Sequence, residues 1–115
     1  MEHITEITLA FVRNGETLDN IRDRVLVGVI NSALIKHYGN QTQAAKQLRM
    51  SRCTVRMRTG KGEVTSELGY KEAWHHLSRV AVMEAIKLCG GNRTLAAKRL
   101  DCSKYTVWRY SRERS

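Results

Sequence analysis

The chain has 115 residues, with 20 Lys and Arg against 11 Asp and Glu, a formal charge of +9 and an isoelectric point near 10.0. That length allows one compact domain or two very small units leaning on each other, because units of roughly 50 residues bury little surface alone. The charge favours a polyanionic partner, nucleic acid ahead of an anionic membrane, and no apolar run approaches the roughly 18 residues of a spanning helix.

Residues 1–7 carry no basic start leading into an apolar stretch, so a soluble, unexported chain without membrane association is expected. Cys53, Cys89 and Cys102 are odd in number and show no two-residue spacing, which argues against a disulfide framework and a zinc site and suits a reducing cytoplasm. Proline is absent, so nothing interrupts long helices.

In chain order, the first segment, 1–15, breaks an otherwise helical pattern. Ile4, Ile7, Leu9 and Phe11 lean towards alternation, and Asn14-Gly15 is a tight-turn signal. It reads either as a short β-arm pairing with another subunit or as a frayed or helical terminus. From about Thr17 to His37, Leu26, Val29, Ile30, Ala33 and Leu34 recur at three- and four-residue steps, as on an amphipathic helix. Val25, Val27 and Ile35 widen that stripe. Two short helices follow, completing a first unit over 16–60. Thr59-Gly60-Lys61-Gly62 reads as a hinge opening a linker over 61–69. A second unit, 70–115, repeats the plan, with a long helix from about Tyr70 to Leu88 carrying Leu77, Ala81, Val82, Ala85 and Ile86.

The second unit is a copy of the first. Positions 39–58 and 91–110 align without gaps at an offset of 52, and Gly, Asn, Thr, Ala, Ala, Lys, Leu, Ser, Thr and Val match at ten of twenty positions. Unrelated segments of ordinary composition would match at about one. Each repeated residue has a mechanical task. Gly39 and Gly91 sit where a helix ends and a positive φ is cheapest, and Asn40 and Asn92 are placed to cap the next helix. Ala44, Ala45, Ala96 and Ala97 keep that helix slim, and Leu48 and Leu100 anchor it. Ser51 and Ser103 are placed to cap a further short helix anchored by Val55 and Val107. Two short helices joined by a tight turn, the second with basic residues near its start, form a helix-turn-helix.

The segments Tyr38-Gly39-Asn40-Gln41-Thr42-Gln43-Ala44-Ala45 and Ser51-Arg52-Cys53-Thr54-Val55-Arg56 resemble the bacterial Fis-type helix-turn-helix. That family includes the factor for inversion stimulation and the DNA-binding domains of nitrogen-regulator-type activators. Gly91 to Lys98 and Ser103 to Arg109 resemble it again. The resemblance implies an all-α fold of two tandem Fis-like repeats, double-stranded DNA as partner and the bacterial nucleoid as location. It implies that Asn40, Thr42, Asn92 and Thr94 face phosphates, while Ser51, Arg52, Ser103 and Lys104 lie where the family reads base edges. Thr54 and Thr106 would contact backbone, and Arg56, Arg58 and Arg109 would add charge along recognition helices at about 51–58 and 103–110. Two departures stand out: the family's turn glycine is Arg49 here and Asp101 there, and the motif occurs twice in one chain.

No nucleophile with a histidine base, no paired carboxylates and no cofactor fingerprint is found, so neither an enzyme nor a cofactor, metal site or small-molecule substrate is expected. The expected function is a sequence-specific transcriptional regulator reading two half-sites. The alternatives are an architectural nucleoid-type protein that bends DNA, or a helix-turn-helix module binding another regulator. The adjacent His75 and His76 read as a solvated pair ahead of a metal site, Trp74 as packing between the halves, and Trp108 and Tyr110 as partly buried edge aromatics ahead of residues that stack on bases. Two long helices with matching apolar faces suggest a pseudo-twofold arrangement with recognition helices about 34 Å apart. The arm and the surplus stripe of Val25, Val27 and Ile35 point to a homodimer.

Overall fold

The computed structural model of the chain describes residues 2–57, 62–64 and 68–112. Among these the protein is all-helical, with no strand. Helix α1 (Glu2–Arg13) precedes a first triplet, α2 (Leu18–Lys36), α3 (Gln41–Leu48) and α4 (Arg52–Met57), and a second, α5 (Tyr70–Leu88), α6 (Arg93–Leu100) and α7 (Lys104–Arg112). One apolar cluster runs through both triplets and α1.

The segment read as a possible β-arm is helix. Ile4, Thr8 and Val12 are fully buried with Ile7 and Phe11 beside them, a three-and-four spacing that outweighs the partial alternation. The Asn14-Gly15 signal marks a helix end, not a hairpin: Gly15 has φ +85° and the Glu16 amide donates to the Phe11 carbonyl. Helix α1 is bound into the second triplet. Thr5 Oγ1 meets His76 Nε2 at 2.9 Å, Arg13 Nε pairs with Glu84 Oε2 at 2.8 Å, and Arg99 Nη2 donates to the Val12 carbonyl at 2.9 Å. Removing residues 1–11 would therefore open the core.

The two long helices pack on each other. Arg22 of α2 donates through Nε to Ser78 Oγ at 3.0 Å, and its guanidinium lies 4.2 Å from the centre of the Trp74 ring. Positions 22 and 74 differ by the 52-residue repeat offset. Contact between equivalent positions is what a twofold relation produces near its axis. Val25 is buried and Val27 half-buried, while Ile35 stays about half exposed.

The linker does more than connect. Most of the expected hinge, residues 59–61, lies outside the described residues, but Asn31 Nδ2 donates to the Gly62 carbonyl at 2.7 Å and the Val64 amide to the Gly28 carbonyl at 3.1 Å. A Cβ at Gly28 would stand 2.5 Å from Val64 Cγ2. Gly28 is therefore the seat on which buried Val64 docks.

Candidate nucleic-acid interface

Each short-helix pair is fixed by the same backbone devices. Gly39 and Gly91 lie at φ +82° and +90°, and their amides donate to the Leu34 and Ile86 carbonyls. Asn40 Oδ1 accepts from the Gln43 amide and Asn92 Oδ1 from the Leu95 amide, both at 3.1 Å. The turns then pass through Arg49 (φ 55°) and Asp101 (φ 53°), so the left-handed residue that a glycine would supply most cheaply is present in both copies without one.

The next helices are capped alike. Ser51 Oγ accepts from the Thr54 amide at 3.1 Å and lies 2.7 Å from Thr54 Oγ1. Ser103 Oγ accepts from the Thr106 amide at 3.1 Å and lies 2.9 Å from Thr106 Oγ1. Capping thus accounts physically for Asn40, Asn92, Ser51, Thr54, Ser103 and Thr106 as repeated residues. Thr42 and Thr94 stand exposed in the first turns of α3 and α6. Arg58 lies outside the described residues.

The outward faces follow from helix geometry at about 100° per residue. Val55 points α4 inward, and Val107 with Tyr110 points α7 inward. The exposed side and flanks of α4 carry Arg52, Cys53, Arg56 and Met57. The same four repeat positions on α7 carry Lys104, Tyr105, Trp108 and Arg109, also all exposed. Arg52 and Lys104 are thus equivalent, but Arg56 and Arg109 are not: the counterpart of Arg56 is Trp108, and that of Arg109 is Met57.

Helix α7 is held more firmly than the sequence suggests. Tyr110 is only 3 % exposed, and its hydroxyl lies 3.1 Å from His75 Nδ1. The expectation of a partly buried edge aromatic thus understates Tyr110. Trp108 is 46 % and Tyr105 66 % exposed, with ring centres 6.1 Å apart. The inward spacing of Val107 and Tyr110 was the available signal that Tyr105 and Trp108 face out. The solvated histidine pair is corrected as well, since His75 meets Tyr110 and His76 meets Thr5. Burial, then the charge of Arg79, holds His76 below the ordinary histidine range.

Among the described residues no three His, Cys, Asp or Glu side chains gather to hold a metal ion, and no helix is long and apolar enough to cross a membrane. Comparison with family models, with curated proteins and with solved structures gives no match for this chain.

Proposed function

We propose that this protein is a sequence-specific double-stranded-DNA-binding regulator of transcription, built as two Fis-like helix-turn-helix repeats that read two half-sites with α4 and α7. The observation that carries this reading is the repeated outward face: each of two similarly capped helices turns two cations away from a core that accounts for its neighbours. Arg52 and Arg56 on α4, and Lys104 and Arg109 on α7, occupy exposed positions, and cations on a short exposed helix suit a groove between phosphates. Thr42 and Thr94, one element earlier, sit where backbone phosphates would flank that groove.

One chain supplies both reading helices in this proposal. Of the two grounds for a homodimer, the N-terminal arm is taken up by packing against α5 of its own chain, while Ile35 of the wide α2 stripe stays about half exposed. Selection of bound duplexes from a random pool, with the mass of the complex measured, tests the reading. A defined sequence bound by one chain supports it, and failure to enrich any duplex at low salt overturns it. Two chains per duplex would restore the homodimer and leave the DNA reading intact.

A further inference from the structure

We propose that the two reading helices differ in the bases they accept, so that one chain selects a non-palindromic duplex with a guanine-containing half under α4 and a thymine-containing half under α7. The inference rests on the DNA-binding reading above and goes beyond it by assigning a base chemistry to each half.

The argument begins from positions that share a scaffold but not a residue. Arg52 and Arg56 stand one turn apart on α4, each presenting a planar set of donors that matches the O6 and N7 acceptors of guanine. On α7 the position of Arg56 is taken by Trp108 and that of Cys53 by Tyr105. The aromatic pair is turned outward by the anchoring of Val107 and Tyr110 on the opposite side.

Folding does not demand this pair. The first copy builds the same cap and turn, with Val55 as the counterpart of the Val107 anchor, and carries Cys53 and Arg56 in those places. Tyr105 at 66 % and Trp108 at 46 % exposure leave much of their apolar area in water, so their surface is available to a partner. In the major groove the thymine 5-methyl is the apolar feature of the base edges, and apolar side chains select thymine through it. Lys104 and Arg109 lie on the same exposed face and give the aromatic surface a cationic frame, which complements a groove between phosphates. That frame favours duplex DNA over an apolar protein surface as the occupant.

The test uses the full chain and the duplex it selects from a random pool. The expected consensus is asymmetric, guanine in one half and thymine in the other. Replacing thymine by uracil, which removes only the 5-methyl, should weaken binding about fourfold per contacted base in the second half and leave the first half unaffected. The double variant Tyr105→Cys/Trp108→Arg gives α7 the α4 face at these positions. It should shift the second half towards guanine and abolish the uracil effect. A palindromic consensus, a consensus specified under α4 alone, or indifference to uracil would overturn the proposal while leaving DNA binding standing. A consensus specified under α4 alone would assign the aromatic pair to another macromolecule. Absence of salt-sensitive binding to any duplex would instead overturn the reading on which the proposal rests.

Discussion

The two copies agree in their buried anchors and their caps and diverge on the exposed sides of α4 and α7. Leu48 and Leu100, Val55 and Val107, and the alanine pairs of α3 and α6 occupy equivalent buried positions. The caps at Asn40 and Asn92 and at Ser51 and Ser103 repeat to within a few tenths of an ångström. On the exposed faces, Cys53 is matched by Tyr105, Arg56 by Trp108 and Met57 by Arg109. The supports differ too, since Val64 docks on α2 at Gly28 whereas α1 packs along α5. Packing and capping fix residue type at the buried and helix-terminal positions, whereas the exposed sides of α4 and α7 are free to differ.

Four substitutions or pairs probe that comparison. Leu48→Ala and Leu100→Ala should each cost about 2–5 kcal/mol, since both side chains are fully buried. Denaturant unfolding that finds one of them nearly neutral would break the equivalence of the cores. Gly28→Ala should destabilise by about 1–3 kcal/mol because the new methyl meets Val64. Helix propensity alone would give the opposite sign, so a stabilised variant would remove the docking seat from the account.

Asp101→Gly should raise stability by about 1 kcal/mol by relieving its left-handed backbone. Arg49→Gly should gain less, because it also gives up the 2.9 Å contact with Glu72, an exposed pair worth at most about 1 kcal/mol. Equal shifts in thermal midpoint would mean that this pair contributes nothing. The smallest effect is one of pH. Because burial depresses the folded pKa of His76, its contribution is fully present above the unfolded value near 6.5 and is lost as pH falls through the lower folded pKa. His76→Gln should flatten the decline of the thermal midpoint between about pH 7 and 5. Parallel curves for the two proteins would place the acid sensitivity elsewhere.

Much of the fold was legible because caps and periodicity are local. The long helices were expected at Thr17 to His37 and Tyr70 to Leu88 and occur at Leu18–Lys36 and Tyr70–Leu88. Gly39, Gly91, Asn40 and Asn92 perform the terminal tasks their types suggested. Trp74 does lie between the halves, against Arg22. For α1 both a β-arm and a helical terminus stayed open, because Ile7, Leu9 and Phe11 alternate while Ile4, Ile7 and Phe11 fit a helix, and the surface of α5 that supports the helix is distant in sequence. The docking of Val64 on Gly28 and the partners of His75 and His76 are tertiary facts of the same kind. Of the candidate interface, Arg52, Arg56, Lys104 and Arg109 were identified and stand exposed. The exposure of Tyr105 and Trp108 was not legible in the sequence, because only the inward register of α7 separates them from the buried Tyr110.

The central claim is that α4 and α7 bind a duplex through their cations. It is tested most directly by anisotropy titration of the selected duplex between about 50 and 200 mM salt, with the wild-type chain and with Arg52→Ala/Lys104→Ala. Affinity of the wild type should fall by roughly 10³-fold or more over that range, and the double variant should bind more weakly with a shallower salt dependence. A flat salt response of the wild type, or a double variant with unchanged affinity and slope, would contradict the account.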